Sequence, residues 1–225
     1  LHVVFAIDRA GLVGADGKTH QGLFDLSYLS GMPGMTVLAP KNLWELSDMM
    51  KFAVHFDGPV AVRYPRGEAC TEYREQREPI ALGRAEILKK GGRVALLAVG
   101  AMVPEAVKAA ERLEEREKIK VTVVNVRFIK PFDKALLREL SGNHEWFVTM
   151  EENVQIGGFG QQVQAFVDEE HLPVRVCIAA VPDIFVGHGS VEQQRRQCGL
   201  DAETVAEKIR EILEERHPAH GGRRE

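Results

Sequence analysis

Short apolar runs with no alternating polar residue constrain this chain more than any other feature. Val3–Ile7 is VVFAI, and Arg93–Val99 is RVALLAV. A strand with one wet face alternates apolar and polar residues, whereas a strand covered on both faces does not. Such runs predict parallel sheets layered between helices. Between them the apolar residues recur at helical spacing. Val3–Ile7, Met35–Leu38 and Val60–Tyr64 read as strands, with helices over Leu23–Leu29 and up to His55. In the latter, Leu43, Leu46, Met49, Met50, Ala53 and Val54 line one face behind Asn42 as N-cap. This β-α-β-α-β order predicts part of a doubly wound parallel sheet.

Residues from Glu68 to Pro79 are rich in charge and read as a solvated linker. A second α/β unit follows. Strands are expected at Ala85–Leu88, Arg93–Val99, Lys120–Asn125, Glu145–Met150 and Val174–Ala180. Helices are expected over Val103–Glu117, Lys134–Leu140, Phe159–Glu170, Val191–Cys198 and Ala202–Glu215. Pro104 sits where a helix's first turn tolerates it, and Asp201 is placed as an N-cap. The expected organisation is therefore a first domain over 1–67, a linker over 68–82, a complete second α/β domain over 83–216 and a disordered tail over 217–225.

At 225 residues the chain has room for one or two domains. A net charge of −4 implies no broad attraction to nucleic acid or an anionic membrane. No stretch approaches the ~20 apolar residues of a membrane span. Cys70, Cys177 and Cys198 are odd in number and far apart, which suits free thiols in a reducing cytoplasm rather than disulfides or a zinc site. The chain opens on Leu1 and enters a strand at once, which reads as the carboxyl-terminal piece of a longer protein.

The first strand runs into Asp8–Gly22, DRAGLVGADGKTHQG. Loops at the carboxyl ends of strands are where open α/β sheets hold ligands, and glycine permits close backbone approach there. This loop carries Asp8, Arg9, Asp16, Thr19 and His20. The alternative reading is an ordinary charged surface loop.

Four stretches together resemble one family. They are Asp16–Gly22 (DGKTHQG) behind Asp8–Ala15 (DRAGLVGA), Val62–Gly67 (VRYPRG), Asn125–Pro131 (NVRFIKP), and Glu151–Asn153 with Gly157–Gly158. In that order they resemble the 1-deoxy-D-xylulose-5-phosphate synthases of the transketolase superfamily, over nearly the whole chain to about Glu215. The resemblance implies the end of a pyrimidine-binding domain followed by a transketolase-type C-terminal domain. It implies a transferase using thiamine diphosphate and Mg2+, joining pyruvate to D-glyceraldehyde 3-phosphate, on the route to isoprenoid, thiamine and pyridoxal precursors, as a cytoplasmic homodimer. The family's catalytic glutamate and its diphosphate–magnesium motif lie upstream, so no cofactor or metal ligand is assigned here, and the piece alone is expected to be inactive.

The resemblance also assigns roles. Arg9 and Arg66 occupy positions that hold phosphate or substrate carboxylate, and the planar guanidinium fork suits phosphate. Arg66 reads equally as a structural salt bridge. His20 is the candidate for polarising substrate oxygens or relaying a proton. Asp16 either orients His20, bonds a substrate hydroxyl, or is a turn residue before Gly17. Asp8 is placed as a partner for Arg9 or a loop cap, and Arg63 as structural. Gly157-Gly158-x-Gly160 suggests helix–strand packing rather than a nucleotide site. Glu151 and Glu152 make no site, and His188 is a turn residue. The second domain is expected to scaffold and to make dimer contacts. A transketolase, a 2-oxo-acid dehydrogenase beta subunit and a non-catalytic dimerisation module are the rival readings.

Overall fold

The computed structural model describes residues 1–215. The tail expected over 217–225, and residue 216, lie outside the described residues.

Two sheets form. The first contains β1 (Val3–Ile7), β2 (Thr36–Leu38) and β3 (Pro59–Arg63), joined by helices α1 (Asp25–Ser30) and α2 (Leu43–His55). β3 lies between β1 and β2 and runs parallel to both. α2 starts where expected because the Asn42 side chain accepts from the Glu45 N–H. The second sheet contains β4 (Glu86–Lys89), β5 (Arg93–Ala98), β6 (Thr122–Asn125), β8 (His144–Val154) and β9 (Arg175–Val181). Its order is β4-β6-β5-β8-β9, antiparallel only at β4. Helices α3 (Val103–Glu117), α4 (Lys134–Ser141), α5 (Phe159–Glu169), α6 (Val191–Gln197) and α7 (Ala202–Glu214) complete it.

Three departures from expectation bear on function. β7 (Phe128–Lys130) follows β6 yet pairs antiparallel with β2, so the first sheet is completed from the second unit. Three residues are too few to show a period. β1 is not covered on both faces: it pairs with β3 on one side, and Val3 and Phe5 stand 40% and 43% exposed. β8 runs eleven residues, well past Met150, through Glu151, Glu152 and Asn153. Those polar residues hide a strand in sequence. They are buried because each finds a partner, Asn153 through its Oδ1 accepting from Leu26 N–H at 3.2 Å.

The two units share one core. Leu26, Leu29, Val37 and Ala61 of the first pack in one cluster with Leu97, Phe147, Phe159 and Val163 of the second. Residues 68–82 hold no helix or strand, but they are tied down rather than free. Leu43 N–H donates to Cys70 O, Asn42 Nδ2 to Glu72 O, and Arg127 to Glu78 O. A buried charge cluster of Lys41, Glu45, Glu86 and Arg127 spans the same junction.

Candidate functional site

β1 and β3 are neighbouring parallel strands with Ile7 opposite Arg63, so the segments that leave their carboxyl ends leave side by side. The pairing continues past both strands. Tyr64 N–H donates to Ile7 O at 2.9 Å, and Ala10 N–H to Tyr64 O at 3.0 Å. That places Arg9 and Arg66 at one edge. Both meet Asp16, which ends a short 3-10 turn, Gly14–Asp16. Arg9 Nε lies 3.6 Å from Asp16 Oδ2, and Arg66 contacts the same oxygen. The arginine side chains are 44% and 51% exposed and the Asp16 side chain 21%. Arg9 itself has φ +55, a left-handed conformation that costs a non-glycine residue on the order of 1 kcal/mol. It is held there because Gly22 N–H donates to Arg9 O at 3.0 Å.

His20 is exposed and its Nδ1 lies 2.9 Å from Thr19 Oγ1. Thr19, not Asp16, is therefore the group beside the imidazole. Asp16 is the counter-ion of two guanidinium groups, an arrangement not among its expected roles. The structure brings Arg9, Asp16 and Arg66 together. His20 stays on the same loop, its backbone N–H closing a turn on Gly17 O at 3.2 Å. A cavity of about 780 Å³ opens beside Arg66, lined also by Leu12, Tyr64, Cys70, Glu105 and Arg195.

The loop is closed and clamped. Gly11 N–H donates to Gly22 O at 2.8 Å, and Gly22 N–H to Gly11 O at 3.1 Å. Arg63, expected to be structural, donates to Gly22 O, to both oxygens of Asp25 and to Glu152 O. From the second unit, Glu152 accepts from Leu12 N–H at 3.3 Å and from Arg195 Nε at 2.6 Å. Gln194 bonds both the N–H and the C=O of Gly14, and Gln21 donates to Val186 O. His188, expected as a turn residue, lies against Gly17, where any larger side chain would overlap its ring.

None of Glu152, Gln194, Arg195 or Asp25 was legible as a site residue. The glycines were the available signal. Their close approach is to the second unit: a side chain at Gly11 would overlap Glu152, and one at Gly14 would press on Gly189 O. Glu151 fills the start of α5, accepting from Phe159 and Gly160 N–H at 2.8 Å each. That occupies the glycine-rich helix start with the chain's own carboxylate. Burial pushes the Glu151 carboxyl up to about 7, against those two N–H donors.

Chemically, the edge presents two cations and one anion. Each guanidinium has five N–H donors and one carboxylate oxygen between them, so donors remain for a bidentate anion.

Known proteins fit this picture. Residues 1–71 match the transketolase pyrimidine-binding domain, and residues 83–205 match the transketolase C-terminal domain. Over 210 residues the chain is 46% identical to a 1-deoxy-D-xylulose-5-phosphate synthase of Lachnoclostridium phytofermentans, covering 93% of this chain and 33% of that protein. Over 212 residues it is 48% identical to the same enzyme of Chlorobium phaeovibrioides, again 93% and 33%. The chain thus spans about a third of the length of the curated relatives it matches. A solved structure described as a split gene transketolase, inactive beta4 tetramer, superimposes with TM-score 0.85 at 31% identity, over 95% of this chain and 67% of that one.

Proposed function

Since this chain belongs to the transketolase family, we propose that it is part of a thiamine-diphosphate-dependent transferase that joins pyruvate to D-glyceraldehyde 3-phosphate. The products are 1-deoxy-D-xylulose 5-phosphate and carbon dioxide, which places the enzyme on the route to isoprenoid, thiamine and pyridoxal precursors. The relatives named above support the reaction. The single observation that carries the site is the convergence of Arg9 and Arg66 on Asp16 at one sheet edge.

Arg9 and Arg66 take the acceptor's phosphate, each exchanging part of its contact with Asp16 for a charge-assisted bond to a phosphate oxygen. His20, its Nδ1 oriented by Thr19 Oγ1, holds or moves a proton at a substrate oxygen through Nε2. Arg63 and the closed loop fix these groups. Thiamine diphosphate, when bound together with Mg2+, would supply the nucleophile and the electron sink. Among the described residues, no group of three or more His, Cys, Asp or Glu side chains is placed to hold a metal ion. The chain alone is proposed to be inactive.

No helix among the described residues is long and apolar enough to cross a membrane. The free thiols of Cys70, Cys177 and Cys198 support a cytoplasmic, reducing location. The test is kinetic. In the enzyme that carries this chain, Arg66→Ala is expected to raise KM for D-glyceraldehyde 3-phosphate about tenfold, the order of one lost charge-assisted bond, and to leave KM for pyruvate within twofold. Equal effects on both would remove Arg66 from the phosphate role.

One finding favours a second reading for the chain by itself. The split-gene neighbour is described as an inactive tetramer, which supports self-association without catalysis. The family pattern supports a homodimer in the enzyme. Light scattering on the isolated chain, with an assay of the same sample, decides it: a monomer, or turnover, rejects this second reading.

A further inference from the structure

We propose that Gln194, on a helix of the second unit, is a positioning residue for the Arg9–Asp16–Arg66 site; this rests on the reading of that site as the phosphate grip. Gln194 is uncharged, polar and 1% exposed, and it uses both ends of its carboxamide. Its Oε1 accepts from Gly14 N–H at 2.9 Å. Its Nε2 donates to Gly14 O at 3.1 Å and to Gly187 O at 2.7 Å. One side chain thus grips both polar groups of the residue that opens the Gly14–Asp16 turn, and ties it to the 187 loop.

Asp16 stands two residues further on and sets where both guanidinium groups lie. A displacement of Gly14 passes directly to that carboxylate, and a misplacement of ~1 Å can cost ~100-fold in a catalytic site. The surrounding contacts act in the same direction. Gln21 Nε2 donates to Val186 O at 2.8 Å, and an added Cβ at Gly14 would stand 3.2 Å from Gly189 O. The loop meets residues 186–194 through glycine backbone and two carboxamides, with little freedom to slide. The second unit therefore does more than scaffold: it sets the geometry of the Arg9–Asp16–Arg66 trio, which belongs to the first.

The test separates this from the reaction. Gln194→Met keeps the volume and removes all three bonds. In this chain, Gly14 amide hydrogen exchange should accelerate at least tenfold while the amides of Arg93–Ala98 exchange as before. The dissociation constant for inorganic phosphate should rise about tenfold, the size of one lost buried hydrogen bond. Unchanged exchange at Gly14, equal acceleration in Arg93–Ala98, an unchanged phosphate constant, or no phosphate binding by the unsubstituted chain each overturn the proposal. Should the Met variant not fold, Gln194→Ala removes the same three bonds without a new side chain to place, and is judged by the same readouts. Failure of the chain-bearing enzyme to turn over D-glyceraldehyde 3-phosphate sinks the proposed reaction and leaves the phosphate and exchange results to judge Gln194.

Discussion

Two of the arginine–carboxylate clusters among the described residues contrast, one closed and one open. In the closed one, Lys41 Nζ meets Glu45 at 3.0 Å and Glu86 at 2.6 Å, while Arg127 meets Glu45 at 2.7 Å and Glu86 at 3.0 Å. All four side chains are 1–2% exposed. Asn125 Nδ2 bridges both carboxylates. Two cations face two anions, so the charges cancel out of water. In the open cluster, Arg9 and Arg66 share Asp16 alone, at the surface. One positive charge is left over. The difference teaches what each is for. A saturated cluster has no donor or charge to offer and can only join elements. An unsaturated one keeps donors free, and on the reading proposed above the open cluster is completed by an anion from outside.

The largest effect should come from breaking the closed cluster. Glu45→Gln preserves volume but leaves two buried cations against one carboxylate. Removing one partner of a buried pair costs about 3–5 kcal/mol, because an uncompensated charge stays behind. Urea unfolding of this variant should show that loss. A loss below about 1 kcal/mol would show that the cluster does not tie the two units together, and the contrast with the open cluster would fall.

Glu151 sharpens the comparison as a buried carboxylate held by two backbone N–H groups, with the Arg63 guanidinium opposing its burial only in part. Burial raises its pKa to about 7, opposed by the N–H groups of Gly160 and Phe159. A carboxyl raised above its unfolded value stabilises the fold fully below that unfolded value, near 4.5. The contribution is lost as pH rises through about 7, in total about 3 kcal/mol by linkage. Glu86 goes the other way: burial pushes it up, but the Lys41 ammonium and the Arg127 guanidinium together hold it below the usual carboxylate range. Its contribution is present above that range and lost as pH falls through its lowered value. Unfolding free energy measured from pH 4.5 to 8 should decline in the parent and flatten in Glu151→Gln. An unaltered slope in the variant would assign the decline to another group.

That Arg9 and Arg66 leave one sheet edge was legible in sequence; their sharing of Asp16 and the closed cluster were not, for physical reasons. Arg9 and Arg66 follow parallel strands at adjacent ends, and short apolar runs fix that topology without any knowledge of packing. Lys41, Glu86 and Arg127 lie far apart in the chain, and only β7 crossing into the first sheet brings them together. β3 was recognisable from its composition. β1 was too, but its composition reported a covered strand where Val3 and Phe5 are open. Apolarity says what a strand is built to bury, not whether the described residues bury it. Gln194 sits in QQRRQ with nothing to distinguish it from a solvated helix face. Its role arises from tertiary approach, for which the loop's glycines were the local trace.

Next in size comes the test of the open cluster's stability. Exposed ion pairs are worth about 0–1 kcal/mol, so Arg66→Ala should leave urea unfolding within about 1 kcal/mol of the parent. The same substitution should weaken inorganic phosphate binding to this chain about tenfold. A loss near that of Glu45→Gln would make Arg66 a structural residue, as one sequence reading allowed, and the two clusters would be of one kind.

The smallest effect is the most discriminating. Asp16→Asn keeps an acceptor oxygen between the guanidinium groups but removes the charge that competes with an incoming anion. If the open cluster waits for an anion, neutralising its resident carboxylate should tighten inorganic phosphate binding. The gain should be two- to fivefold, since an exposed pair holds no more than about 1 kcal/mol. Stability should hardly move. If instead Asp16 is needed as a charge to hold Arg9 in its left-handed conformation and Arg66 beside it, phosphate binding should weaken. Titration calorimetry on parent and variant at one ionic strength separates the two, because they differ in sign. A tightening leaves Asp16 as the counter-ion that a phosphate displaces. A weakening makes it part of the grip, and the open cluster would then be built for three charges rather than two.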